Sequence, residues 1–349
     1  MRSFPRGSRR LTTIIVAAAG VALALVVASV ASVPYVALAP GPTLNTLGKS
    51  GGQPLIQIRG HRTYQTSGHL NMVTVSIIGG PTSDFNIFAA LRAWLSPHEA
   101  VVPEEEVFTP GQTEQQVSKQ DTEEMTNSQQ SAAAAALCQL RIRFRTVDTI
   151  AATISGMPAR GVLLPGDVID AVDGTPVTCR ADAGTLIRSH RPGTPLELTI
   201  IRKGRKKNVR LVSRSVQGQA MIGVDVDESF VFPFSIKINI TNIGGPSAGL
   251  MFALGIIDKL TPMNLTAGKF IAGTGEIEAN GAVDPIGGIQ QKMAGARAAG
   301  ATVFLTPAAN CPDTAGAVPA GMRLIKVSSL SGAIRDLTAL KAGRAVPSC

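Results

Sequence analysis

The sequence predicts an α+β protein: one membrane-length helix at the N-terminus, a β-rich unit in the middle and an α/β unit at the C-terminal end. Three observations predict it. Residues 11–33 carry no charged side chain and are nearly all apolar or small. Residues 143–215 are short alternating runs punctuated by Pro165-Gly166 and Asp173-Gly174, dipeptides that turn a chain between strands. From Ile236 onward, apolar strands run into glycine pairs that open helices, at Gly244-Gly245 and again at Gly287-Gly288.

About 20 apolar residues cross a bilayer once. Arg2, Arg6, Arg9 and Arg10 precede the run. They hold residues 1–10 in the cytoplasm, so residues 11–33 form a single-pass anchor and the bulk of the chain is extracytoplasmic at the cell membrane. A cleaved signal peptide is the competing reading. Ser29-Val30-Ala31 offers small residues for cleavage, but the apolar run is longer than the roughly 7–15 residues of a signal core.

The 349 residues suffice for about two domains. A content of 44% hydrophobic and 16% charged residues excludes wholesale disorder. The net charge of +9 comes largely from the N-terminal arginines and from residues 202–210, RKGRKKNVR. Nucleic-acid binding calls for basic residues interleaved with stacking aromatics, and aromatics are only 4% of the chain. A solvated basic hairpin is the reading adopted. Cys138, Cys179, Cys311 and Cys349 form no CxxC pair, and the four histidines form no HExxH. No metal and no cofactor is expected. An extracytoplasmic setting permits disulfides, with three complete pairings open and Cys311–Cys349 preferred.

Residues 34–54, rich in Pro and Gly, read as a linker. Their Gly48-Lys49-Ser50 imitates a phosphate loop, but Thr43 stands where that motif needs glycine. No other segment offers a nucleotide-binding loop. Residues 55–142 read as a membrane-proximal α/β region: strands over 55–78, a helix over 85–95, an exposed polar stretch over 101–130 and an alanine-rich helix over 123–140.

Within residues 143–215, Gly156-Met-Pro-Ala-Arg-Gly161-Val-Leu-Leu-Pro-Gly166-Asp167 leads into the strand 168–172 and then Asp173-Gly174. A short helix over 183–189 and a hairpin, 196–201 with 209–212, follow. This unit resembles a bacterial PDZ domain. The resemblance implies binding of extended peptides at a sheet edge beside a helix. No glycine-rich loop for a terminal carboxylate is apparent in these residues.

The chemistry concentrates after Ile236. A strand over 236–240 leads to Gly244-Gly245-Pro246-Ser247-Ala248-Gly249. Proline at a first helical turn is tolerated, which places the Ser247 hydroxyl among unpaired N–H groups at a positive helix end. Gly244, Gly245 and Ala248 then form the nucleophile loop that holds an oxyanion. The same residues satisfy G-x-S-x-G, but an esterase needs a later histidine, and the last one, His190, precedes Ser247. A serine without histidine takes a lysine as base. Lys292 stands one turn into the helix opened by Gly287-Gly288, with apolar Ile289, Met293 and Ala296 as neighbours. Burial there lowers a lysine pKa towards working pH. Asn280-Gly281 upstream reads as a two-residue hairpin turn.

Residues 236–302 resemble the proteolytic domain of Lon proteases, through GPSAG at 245–249 and TGEI…G.V.PIGGI..K from Thr274 to Lys292, in family order and spacing. The resemblance implies Ser247 as nucleophile, Lys292 as general base and Thr274 as the residue beside the lysine. Residues 216–349 are then a Lon-type α/β proteolytic domain, and the layout resembles bacterial membrane-anchored PDZ–Lon-like serine proteases. Where many Lon enzymes have aspartate three positions before the serine, this chain has Gly244. Residues 68–75 and 125–132 resemble the first strand and helix of the Lon fold, which implies that the PDZ unit is inserted into it. Protein or peptide substrates and a homo-oligomer, a hexameric ring, are further implications. A PDZ-based membrane scaffold with an inactive protease-like domain is the alternative.

Overall fold

The computed structural model describes residues 6–241 and 243–349. Its first helix, α1 (Arg6–Val30), contains a stretch, Arg10–Val30, long and apolar enough to cross a membrane. Thereafter come β1 (Tyr35–Asn45), β2 (Ile56–Arg59), β3 (His69–Gly79), α2 (Ile87–Trp94), β4 (Ala100–Pro103) and α3 (Glu114–Gln139). Next are β5 (Arg145–Thr153), β6 (Val168–Val172), α4 (Ala183–Arg188), β7 (Pro195–Arg202), β8 (Arg205–Val212) and β9 (Val224–Val231). The last part holds β10 (Ser235–Ile238), α5 (Gly249–Leu260), β11 (Phe270–Gly273), β12 (Glu276–Ile277), β13 (Val283–Asp284), α6 (Ile289–Ala298), β14 (Val303–Pro307), β15 (Arg323–Val327) and α7 (Leu330–Lys341).

A six-stranded mixed sheet runs β15-β14-β11-β3-β1-β4. Its β11, β14 and β15 are parallel, and β11 also runs parallel to β3, pairing Phe270 with His69 and Gly273 with Met72. β1 is antiparallel to both β3 and β4. The alternation of side chains sorts two cores. Leu70, Met72, Ile271, Leu305 and Ile325 pack with α3, α5 and α7 on one face. Val73, Ala272, Phe304 and Leu324 pack with Ile289, Met293 and Ala296 of α6 on the other. α5 is buried almost throughout, and the alanines 132–136 of α3 let the two helices approach closely.

Between the two sets of strands that build this sheet, the chain forms an antiparallel one, β8-β7-β6-β5-β9, with its own core of Ile150, Leu163, Ile169, Leu198 and Ile200. Disulfides join Cys138 to Cys179 and Cys311 to Cys349. The first ties the end of α3 to the segment leading into α4.

Several boundaries depart from the sequence reading. Residues 35–45, expected as linker, are β1, with a strand on each side. Proline there is accommodated by a bulge between Pro40 and Thr43, where no ladder N–H is needed. α3 starts at Glu114, well before 123, because Thr113 and Gln116 close a capping box. The antiparallel sheet does not end at 215; β9 completes it at Val231. The loop between β12 and β13 spans 278–282, longer than a two-residue turn.

Candidate active site

Ser247 lies in the turn between β10 and α5, ahead of the first helical residue, Gly249. The expected placement within the first helical turn is therefore corrected: Ala248 is the N-cap and Ser247 precedes it. Four hydrogen bonds pin this turn. The Ser247 carbonyl accepts from Thr274 Oγ1 and from the Gly275 N–H, both at 2.9 Å. The Pro246 carbonyl accepts from Ser128 Oγ at 2.8 Å, and the Gly245 N–H donates to the Asp121 carbonyl at 3.2 Å. Gly245 has φ +82°, a conformation glycine adopts without strain.

The loop glycines consequently have different roles. The Gly245 N–H is already engaged, which removes it as an oxyanion donor. Gly244 stands against Asp121, whose Cβ occupies the space a side chain at 244 needs. Among the described residues, the N–H groups of Ser247 and of buried Ala248 have no protein acceptor. They lie at the start of α5, where helix N–H groups have no intrahelical acceptor.

Lys292 is 4% exposed. It sits on the first turn of α6, with Ile289, Met293 and Ala296 buried around it. Burial alone pushes its amine from 10.5 down to about 7. Its Nζ donates to Thr274 Oγ1 at 3.3 Å. Thr274 is fully buried, so its hydroxyl links the lysine to the Ser247 main chain. The Ser247 hydroxyl itself makes no hydrogen bond among the described residues.

Ser247 and Lys292 border one cleft of about 760 Å³, walled by β3 from Val73 to Ile77, by Asp121 and Met125 of α3, and by Gly287 and Gly288. β11 covers β3 only as far as Met72, so the edge of β3 beside the cleft is uncovered from Val73 onward. Burial, then the charge of Glu124, raises the Asp121 carboxyl above its usual range.

Asp121 and Ser128 are residues the sequence reading missed. With Met125 they recur at i, i+4, i+7, one helical face. For Asp121 the signal was Thr113-x-x-Gln116, which starts α3 early enough to include it; Ser128 already lay within the expected helix.

A second groove, about 520 Å³, lies between α4 and the edge strand β9. Ile187, Ile222, Val224 and Val226 line it, with Asp148, Asp182 and Glu228 at one end. Half of its wall comes from residues beyond 215.

Comparison with known proteins assigns both regions. Residues 139–212 match the PDZ domain, and residues 226–337 match the Lon protease (S16) C-terminal proteolytic domain. The Lon protease of Roseiflexus castenholzii is 46% identical over 69 residues, 20% of this chain and 8% of that protein. Lon protease 2 of Bacillus subtilis is 37% identical over 108 residues, 31% of this chain and 18% of that protein. The chain thus spans less than a fifth of these curated relatives. Among solved structures, the PDZ domain of the SdrC-like protein of Listeria monocytogenes is 18% identical, covering 23% of this chain and 85% of that one, with a TM-score of 0.21. The chain carries a PDZ domain and a Lon-type proteolytic domain.

Proposed function

We propose that the chain is a membrane-anchored serine endopeptidase that hydrolyses protein substrates without ATP, using Ser247 and Lys292 as a dyad. The observation that carries this reading is the buried Lys292, its amine near pH 7, joined through Thr274 to the Ser247 main chain beside one cleft.

A neutral lysine accepts the Ser247 proton as Oγ attacks the scissile carbonyl. The oxyanion forms beside the free N–H groups of Ser247 and Ala248 at the positive end of α5. The Lys292 ammonium next gives its proton to the departing amine, leaving an acyl-serine. Water, deprotonated by the Lys292 amine, attacks the acyl carbon; the bond to Ser247 Oγ breaks, Oγ takes the proton back from the Lys292 ammonium, and the second product leaves. Thr274 accepts from the lysine throughout, which holds Nζ over the serine. An extended substrate adds to the uncovered edge of β3 from Val73 to Ile77. The PDZ groove between α4 and β9 engages the same protein substrate at a distance from the chemistry.

With the apolar part of α1 crossing the bilayer and arginines at and before its N-terminal end, both domains lie outside the cytoplasm. The two disulfides accord with that compartment.

The test is cleavage of an unfolded protein by purified enzyme without nucleotide. Ser247→Ala and Lys292→Gln each abolish it, because glutamine keeps much of the shape but cannot act as base. Lys292→Arg also fails, since guanidinium keeps its proton. Near-normal turnover by folded Lys292→Gln overturns the dyad. Loss of all cleavage in wild type as well returns the chain to the scaffold reading.

A further inference from the structure

α2 is amphipathic the wrong way round for water. Its small residues Ala89, Ala90 and Ala93 turn inward onto Ala37, Phe85 and Val101. Its large ones, Ile87, Phe88, Leu91 and Trp94, together with Leu95 at the C-cap, are exposed, Trp94 to 72%. The spacing i, i+1, i+4, i+7, i+8 sets them on one stripe. A contiguous apolar stripe of this kind marks a surface that something covers.

The position of α2 names the cover. Its N-cap, Asn86, donates from Nδ2 to the Ser29 carbonyl in the last turn of α1 at 2.8 Å. Ser32 and Asn86 form an isolated bridge, and the Val33 N–H donates to the Phe85 carbonyl at 2.8 Å. The apolar part of α1, Arg10–Val30, is 21 residues. At about 1.5 Å per residue it matches the ~30 Å hydrocarbon core, which puts Val30 at the boundary between acyl chains and headgroups. A helix hydrogen-bonded to that last turn begins at the same depth. Tryptophan favours that depth, and exposed Arg92 stands where phosphates are within reach.

We propose that α2 is a lipid-docking helix, its stripe of Ile87, Phe88, Leu91, Trp94 and Leu95 inserted at the bilayer surface beside α1. This rests on the reading of α1 as a membrane span. Because α2 packs on β1 and β4, docking fixes the tilt of the mixed sheet, and so of the catalytic cleft, relative to the membrane.

Trp94 is the only tryptophan in the chain, so it reports directly. The full-length protein is reconstituted into phosphatidylcholine vesicles, with and without lipids brominated high on the acyl chain. Docking gives a blue-shifted emission that the brominated lipid quenches. Phe88→Glu and Leu91→Glu each shift the emission to the red and weaken the quenching, while the protein still floats with the vesicles. Vesicle-bound wild type with water-like, unquenched emission overturns the proposal and leaves the span intact. Blue-shifted but unquenched emission also overturns it, since a second protein surface then covers the stripe. Protein that alkaline carbonate strips from the vesicles refutes the span itself, and the docking with it.

Discussion

On the proposed mechanism Lys292 carries opposing demands of chemistry and stability. A lysine base has to be neutral, and burial favours this by holding the pKa near 7 instead of 10.5. Activity should therefore rise with pH through about 7, as kcat/KM profiles on an unstructured peptide will show. The unfolded chain binds the lysine proton between about 7 and 10.5, and the folded chain does not. Stability from this group thus climbs with pH across that window, and the full cost falls below it. Lys292→Met removes the amine and should raise unfolding free energy by about 1–4 kcal/mol at pH 6 while abolishing cleavage. Urea titrations at pH 6 and pH 9 check the sign: the gain should shrink at the higher pH. Gly244 is a second residue under constraint. Gly244→Ala meets Asp121 and should slow peptide cleavage, whereas Gly244→Ala with Asp121→Gly should recover part of the rate. Equal defects in single and double variants would mean the contact is not the cause.

Among the elements, those with an undivided local signal were legible. α6 followed from Gly287-Gly288 and its alanines, and the β7–β8 hairpin from alternation around its turn. β1 was not, because Pro40-Gly41-Pro42 imitates a linker and only pairing with β3 and β4 reveals a strand. β9 was missed because its residues alternate acidic with apolar and its partner β5 lies far back in sequence. The site divides likewise. Ser247 and Lys292 stood out in local patterns and Thr274 only through the resemblance to Lon proteases, while the occupied Gly245 N–H and the Asp121 contact come from α3, remote in sequence. The alanines of α3 show what such remote packing demands. Ala136 is fully buried in the core shared with α5. Ala136→Leu should overpack that contact and cost about 1–3 kcal/mol, read as a lower urea midpoint with unchanged m-value.

For the whole molecule, the antiparallel sheet interrupts the chain between strands of the mixed sheet, and its ends show how cleanly it separates. Arg145 and Val231 are direct partners in the β5–β9 register, so their Cα atoms lie about 5 Å apart. Removing residues 145–231 leaves Phe144 and Phe232 close enough for a short glycine-serine linker. Removing only 143–215 strands β9 without β5, and that variant should aggregate. In the larger excision Cys138 loses Cys179, so Cys138→Ser belongs in the same variant. The remaining mixed sheet retains α3, α5, α6 and every residue that borders the cleft. If the PDZ domain delivers substrate and performs no chemistry, the excision variant should cleave a short unstructured peptide at close to the full rate. Its kcat/KM on an unfolded protein should fall about tenfold, the ~1.4 kcal/mol that one modest peptide contact supplies. Equal losses on both substrates would show that the PDZ domain shapes the cleft, and full protein cleavage would remove its part in capture.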